Sequence, residues 1–195
     1  MLLEMFDIYL FRQFSSILLV GLVIKIMDDI IDENYPEYLY KAALPYAIII
    51  FVISTLIEHK TAISLFMSSY IVGMFSDINE TLLTGLKGYQ ESLIIFGLGT
   101  VFLGWKEFIF SLTIIIGIQL IDDVIDVSID RNSGQRNMAM RYGKVEIFIV
   151  SMIFFVFSLM LNPVKGAIIL VVAPLVNTIF DKLKGVIINW QQDGL

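Results

Sequence analysis

The apolar residues of this chain are gathered into seven runs that polar segments separate. The runs cover residues 13–27, 42–57, 62–76, 92–104, 107–121, 145–161 and 166–180. Such runs are typical of helices that cross a lipid bilayer, although each is shorter than the roughly 20 residues that a span requires. We therefore expect the helices to extend into their polar flanks. The first dozen residues mix apolar and charged side chains, which predicts a separate helix lying in the membrane interface.

The composition agrees with a membrane protein. Of 195 residues, 57% are hydrophobic and 16% charged, and the mean hydropathy is +0.83. This is more apolar surface than one soluble core of this size can bury. We predict an all-α, polytopic membrane helical bundle of about seven transmembrane helices, forming a single integral membrane domain over residues 1–195. The sequence leaves the oligomeric state open.

Two other features of the composition exclude classes of chemistry. The chain has no cysteine, which excludes disulfides, thiolate metal sites and cysteine nucleophiles. Its formal net charge is −6, so we expect no general attraction to nucleic acid or to anionic lipid. The lipid bilayer is expected as a partner because of the apolar composition alone. The excess of acidic residues needs a local explanation.

Two segments of nearly the same sequence follow the first and fifth apolar runs. Residues 26–32 read IMDDIID and residues 120–126 read LIDDVID. On a helix, aspartates three or four residues apart share one face, where like charges repel each other unless a cation is bound. The first aspartate cluster is Asp28, Asp29 and Asp32, and the second is Asp122, Asp123, Asp126 and Asp130. Lys25 is placed to pair with Asp28 or Asp29.

The type of ligand indicates which cation these clusters would hold. Carboxylates without thiolates suit Mg²⁺, which keeps several waters and shares its shell with substrate phosphates. Either cluster alone is as readily a solvated helix end, but the repetition favours metal binding. We therefore predict that all seven aspartates are Mg²⁺ ligands.

The basic residues predict the orientation in the membrane. If the runs alternate in direction, one face carries eight lysines and arginines and the other carries four. The excess marks the first face, which also carries both aspartate clusters, as cytoplasmic. The first set is Lys41, Lys87, Arg131, Arg136, Arg141, Lys144, Lys182 and Lys184, and the second is Arg12, Lys60, Lys106 and Lys165.

The second cluster lies in a segment that resembles a known motif. Residues 122–134 read DDVIDVSIDRNSG, and the segment continues through Asn137 to Arg141-Tyr142-Gly143-Lys144. This is similar to the second aspartate motif of the UbiA superfamily of intramembrane prenyltransferases, D-x-x-D-x-x-x-D-R-x-x-G followed by L-G-K. The resemblance covers most of the chain, without counterparts of the family's first and last helices.

The first cluster resembles the family's first motif, N-D-x-x-D-x-x-x-D, less closely. Asp29 and Asp32 match its first two aspartates, whereas Asp28 replaces the asparagine and Pro36 replaces the third aspartate. This departure makes the segment similar to the D-D-x-x-D motif of terpene synthases and prenyl diphosphate synthases.

The resemblance implies a UbiA-like bundle, a prenyl diphosphate substrate, Mg²⁺ and particular site residues. It implies that catalysis depends on four of the aspartates, Asp29, Asp32, Asp126 and Asp130. Lys87 stands where the family has a lysine that helps to bind the diphosphate, although Leu83 replaces an expected tyrosine, and a solvated loop lysine is the alternative. Arg131 matches the arginine of the second motif and could bind the diphosphate or pair with an aspartate.

Three functions are open at this point. The first is a UbiA-type terpene synthase that ionises an allylic prenyl diphosphate, cyclises the cation and releases pyrophosphate. The second is a UbiA-type prenyltransferase that alkylates an aromatic or other lipophilic acceptor. The third is a divalent-cation transporter. The D-D-x-x-D form of the first motif and the small number of polar residues outside the motifs favour the first slightly over the second, and the third is the least favoured. The enzyme interpretations require the two aspartate clusters to face each other across an apolar cavity, for which the aromatic candidates are Phe51, Tyr70, Phe75, Phe96 and Phe154.

Overall fold

A computed structural model describes the backbone of residues 2–31, 37–75, 78–82, 84–133 and 137–193. Within these ranges the structure is helical, apart from loops and one isolated β-bridge between Thr81 and Lys87. The all-α prediction is therefore confirmed for this part of the chain. The helices are α1 (Leu2–Ile31), α2 (Glu37–Ile57), α3 (His59–Gly73), α4 (Gly88–Leu103), α5 (Trp105–Ile125), α6 (Val127–Ser133), α7 (Met138–Tyr142), α8 (Lys144–Leu161) and α9 (Pro163–Asp193).

Four helical segments are long and apolar enough to cross a membrane. They are Asp7–Asp28, Trp105–Ile125, Lys144–Leu161 and Pro163–Phe180. Two shorter apolar helices, Ala43–Ile57 and Gly88–Leu103, match the predicted runs 42–57 and 92–104. Large apolar side chains such as Leu56, Phe102 and Met160 are exposed, as contact with lipid would require. The crossing of a membrane by all seven runs stays a prediction.

Two predicted element boundaries are wrong. The first dozen residues do not form a separate interfacial helix, because α1 runs without interruption from Leu2 to Ile31. No glycine or proline precedes Gly21 to break it. The second cluster does not lie on one helix, because α5 ends at Ile125 and α6 starts at Val127.

The described chain forms two compact units, of which the first comprises Met1–Ala62 and Ala167–Leu195. Buried serines hold α1 against α2 in this unit. The Ser16 hydroxyl donates to the Ser54 carbonyl at 3.2 Å, and the Ser54 hydroxyl donates to the Ser16 carbonyl at 2.9 Å. Small hydroxyl residues allow helices to approach closely where lipid surrounds them. The prediction of a single domain stays a prediction.

The second unit, Ile63–Gly166, is built around α5. Phe108, Phe110 and Ile114 on this helix are fully buried. Gly104 alone connects α4 to α5, with a φ of 92° that favours glycine, and Gly99 leaves room for the Phe108 ring. α8 packs on the other side, where the Ser151 hydroxyl donates to the Gly117 carbonyl at 2.8 Å.

A second apolar cluster of this unit lies beside the aspartates. Its buried members come from α5, α6, α7 and α8 and are Leu120, Val127, Ala139 and Ile147. Gly143, with a φ of 104°, turns the chain from α7 directly into α8. Burial of these side chains therefore fixes the short helices α6 and α7 against the end of α5.

Candidate functional site

The second aspartate cluster lies where α5 gives way to α6. Asp126 occupies the turn between the two helices with φ −90° and ψ 7°. Helical hydrogen bonds nevertheless continue across it, since the Asp126 N–H donates to the Asp122 carbonyl and the Asp130 N–H donates to the Asp126 carbonyl, each at 2.9 Å. The break therefore displaces the chain only slightly. All four aspartates of this cluster are partly buried.

Asn137 ties this junction together. Its side chain is nearly buried, and Nδ2 donates to the Asp123 carbonyl at 2.7 Å and to Asp130 Oδ2 at 2.6 Å. Its Oδ1 accepts the Met140 N–H at 3.0 Å, which caps the start of α7. One amide therefore links the end of α5, the carboxylate on α6 and the start of α7.

The Asp123 side chain accepts a hydrogen bond from an uncharged backbone group. The Met138 N–H donates to Asp123 Oδ2 at 3.0 Å. The negative charges of Asp130 and Asp126 also act on the Asp123 carboxylate. Several carboxylates thus share a small region at one end of the unit, which is favourable for binding a cation.

A cavity of about 550 Å³ has Asp123 of this cluster in its lining. Its polar lining consists of Gln119, Asp123, Asn137 and Arg141, and its apolar lining consists of Val72, Phe75, Ile116, Leu120, Met138 and Met140. A cavity with a charged part and an apolar part suits a ligand with an anionic head and a hydrocarbon tail. Of the five aromatic candidates, Phe75 is among these lining residues.

Arg141 supplies a cation to this cavity. Its guanidinium lies 5.1 Å from the centre of the Tyr142 ring, which is within the range of a cation–π contact. Arg131 is exposed on α6, and neither it nor Lys87 is among the described residues that line the cavity. Arg131 and Lys87, which the sequence predicts to bind the diphosphate, thus differ from Arg141, the cation among the described lining residues.

Lys87 lies immediately before α4. Its backbone pairs with Thr81, its N–H donates to Gln90 Oε1 at 2.9 Å, and its side chain is exposed. Glu91 in the first turn of α4 accepts hydrogen bonds from Thr84 in this loop and from Tyr70 on α3. The hydrogen bonds from Thr84 and then Tyr70 lower the pKa of Glu91 below its ordinary value. This network anchors the loop that carries Lys87.

The first aspartate cluster belongs to the other unit. Lys25 Nζ lies 3.3 Å from Asp28 Oδ2, so the predicted pairing of Lys25 is confirmed for Asp28. Asp29 is in the last turn of α1, but its side chain is outside the described part of the structure, and Asp32 lies outside the described residues altogether. The predicted approach of the two clusters stays a prediction.

The donor chemistry of the second cluster fits Mg²⁺. Within the described ranges, no three or more acidic or histidine side chains are gathered tightly enough to hold a metal by themselves. Mg²⁺, however, is usually bound through one or two carboxylates, with waters and substrate phosphates completing its shell. Asp123 and Asp130, brought together by Asn137 and Met138, can supply that number.

Sequence reasoning overlooked Gln119 and gave no role to Asn137 or Arg141. Gln119 precedes Asp123 by four residues, so helical spacing places both on one face of α5. Asn137 stands just before a short helix, which is the position that a capping residue prefers. Only the fold shows that the same amide also reaches Asp130.

Comparison with protein-family models, with curated proteins and with solved structures finds no match for this chain.

Proposed function

We propose that this chain is a UbiA-type intramembrane enzyme that ionises an allylic prenyl diphosphate with the help of Mg²⁺. The observation that carries the proposal is the cavity beside the second aspartate cluster, with Asp123 and Arg141 in its polar lining and six apolar residues around them. The resemblance of residues 122–144 to the second UbiA motif supports the same function. A diphosphate fits the polar part and a prenyl chain the apolar part.

The roles of the residues follow from their chemistry. Asp122, Asp123, Asp126 and Asp130 would be one set of Mg²⁺ ligands, and Asp28, Asp29 and Asp32 the other. When bound, Mg²⁺ neutralises the charge that develops on the pyrophosphate as it leaves. Arg141, which lines the cavity, would donate hydrogen bonds to the diphosphate oxygens. Arg131 and Lys87 are proposed for the same role from the resemblance alone.

Ionisation breaks the bond between the allylic carbon and the diphosphate oxygen. The electron pair stays with the pyrophosphate, and an allylic cation remains in the cavity. Apolar residues such as Ile116 and Leu120 exclude water from the cation, and the Phe75 ring stabilises its positive charge. The cation then bonds to one of its own double bonds and loses a proton, as in a terpene synthase.

We place this cyclisation ahead of transfer to an acceptor. Besides Asp123, Asn137 and Arg141, which serve the head group, the described lining of the cavity offers one polar side chain, Gln119. A prenyltransferase must also bind its acceptor, and polar recognition of an acceptor requires further groups of this kind.

The proposed fold is a seven-span, UbiA-like bundle with both clusters on its cytoplasmic face.

The test is incubation of purified protein with Mg²⁺ and geranyl, farnesyl or geranylgeranyl diphosphate. We expect release of pyrophosphate and formation of a hydrocarbon without any acceptor, both abolished by EDTA. Release that depends on an added lipophilic acceptor would identify a prenyltransferase. Flux of divalent cations through proteoliposomes, without pyrophosphate release under any condition, would replace the enzyme with a transporter.

A further inference from the structure

Asn137 contacts three helices around the second aspartate cluster. Its three hydrogen bonds run to the last turn of α5, to the carboxylate on α6 and to the first turn of α7. The side chain is 7% exposed, so solvent does not readily replace these contacts. We propose that Asn137 is a positioning residue that sets the affinity of the second aspartate cluster for Mg²⁺.

The first step of the argument is orientation. The Asn137 amide holds Asp130 Oδ2 at 2.6 Å and the Asp123 carbonyl at 2.7 Å. A hydrogen bond to one oxygen restrains rotation of the carboxylate, so the direction of its other oxygen is restrained as well. Because the same amide contacts α5 and α6, it also sets the distance between the aspartates on these two helices. Outer hydrogen bonds of this kind orient metal ligands.

The second step is charge. An amide is a neutral donor, so it holds Asp130 in place without competing for the site as a lysine or an arginine would. Its carbonyl oxygen is used elsewhere, since Oδ1 accepts the Met140 N–H at 3.0 Å. Asparagine thus combines a helix cap with a neutral donor to the carboxylate. The inference rests on the proposed function only for the identity of the cation.

The test separates these two tasks with the variant Asn137→Ser. A serine hydroxyl can still cap α7, but it cannot reach both Asp123 and Asp130. The matched control is Asn162→Ser, because Asn162 Oδ1 likewise accepts a backbone N–H, that of Lys165, at 3.1 Å at the start of α9. Asn137→Thr is a second capping variant, to be used if the serine variant does not fold.

Two readouts are measured on the full chain in detergent. The first is the melting temperature as Mg²⁺ is added to EDTA-treated protein, and the second is the Mg²⁺ dependence of pyrophosphate release. We expect Asn137→Ser to raise the Mg²⁺ concentration at the midpoint of both curves by about 10- to 100-fold. The melting temperature in EDTA should fall modestly, because buried hydrogen bonds are lost, and this fall is separate from the shift in the Mg²⁺ midpoint. Asn162→Ser should leave both midpoints unchanged.

Each other outcome has a definite meaning. A normal Mg²⁺ midpoint in a folded Asn137 variant would overturn the inference, as would a wild-type protein whose melting temperature does not respond to Mg²⁺. If the wild type responds to Mg²⁺ and Asn137→Ser shifts the midpoint, but no prenyl diphosphate is turned over, the inference stands and the proposed function fails.

Discussion

Helix α5 carries carboxylates near both of its ends, and the groups that donate to these carboxylates differ between the two ends. Near its start, Glu107 Oε1 lies 2.6 Å from Lys165 Nζ, and the two side chains are 18% and 7% exposed. At its other end, Asp123 and Asp130 accept hydrogen bonds from the Met138 N–H and the Asn137 amide. A contacting cation cancels a negative charge, whereas a neutral donor only fixes its position. We infer that the ion pair near the start of α5 serves stability. The carboxylates at the other end are the ones that the proposed function assigns to the reaction.

Removal of single aspartates should have the largest effect on pyrophosphate release. Normal release after removal would contradict this comparison. We expect Asp29→Ala, Asp32→Ala, Asp126→Ala and Asp130→Ala each to abolish pyrophosphate release. Loss of several kcal/mol of charge stabilisation corresponds to about a 10³-fold lower rate. Release of pyrophosphate at saturating prenyl diphosphate is the measurement.

The same variants should melt no lower than the wild type in EDTA, because they relieve repulsion between carboxylates. Asp7→Ala, which removes an exposed aspartate at the other end of α1, is the control and should keep full activity. Near-normal turnover in any two of the four variants would refute the metal assignment. A clear loss of stability without metal would identify structural ion pairs instead.

Disruption of the ion pair between Glu107 and Lys165 should lower stability and leave the Mg²⁺ midpoint unchanged. Lys165→Met leaves the Glu107 carboxylate largely buried without its cation, which should cost about 3–5 kcal/mol of stability. Adding Glu107→Gln should restore much of the loss, because the charge without a partner is then gone. Unfolding in detergent measures both, and the folded fraction should keep its Mg²⁺ midpoint. A changed midpoint would show that the two ends of α5 are coupled.

Substitution of Gln119 tests how far the proposed site extends along α5 from Asp123. We expect Gln119→Leu to lower kcat/KM for the prenyl diphosphate by about tenfold, equivalent to the loss of one hydrogen bond of roughly 1.4 kcal/mol in the cavity. Since the side chain is exposed, the melting temperature should not fall. Unaltered kinetics and unaltered products would exclude this wall of the cavity from the reaction.

Glu91 is a third kind of carboxylate, held by the hydroxyls of Thr84 and Tyr70, and should give the smallest effect. Because its pKa is lowered from 4.5, the folded state binds a proton less readily than the unfolded state. Its stabilising contribution is therefore present above pH 4.5 and is lost as the pH falls through the lower folded pKa. The difference in melting temperature between wild type and Glu91→Gln should shrink with falling pH. A constant difference would show that the ionised form is not required.

The hydrophobic runs predicted the seven longer helices, each of which overlaps one run, but not the short helices α6 and α7. They failed at boundaries that depend on local backbone geometry. The turn at Asp126 is invisible to the pattern, since the helical spacing of aspartates continues through it. The continuity of α1 was also missed, because charged residues such as Glu4 and Asp7 suggested an interface although neither interrupts a helix.

The candidate site was predictable only where its residues are close in sequence. The spacing of Asp122, Asp123, Asp126 and Asp130 indicates a shared face, and the helical hydrogen bonds that cross the turn at Asp126 maintain that spacing. Asn137 and Arg141 reach the site only because burial of Val127, Ala139 and Ile147 folds α6 and α7 back against α5. Contacts of this kind depend on tertiary packing, which the sequence pattern does not encode locally.

The connection of α4 to α5 through Gly104 alone has a consequence for the order of assembly. Gly99 and Phe108 meet across this joint, so their contact closes a very short segment of chain. The entropy lost on closure grows with the length of the segment, so this pair costs little to form. Packing between residues close in sequence also forms rapidly. We therefore expect α4 and α5 to pair while later helices are still being synthesised, so that α8 finds a surface already in place.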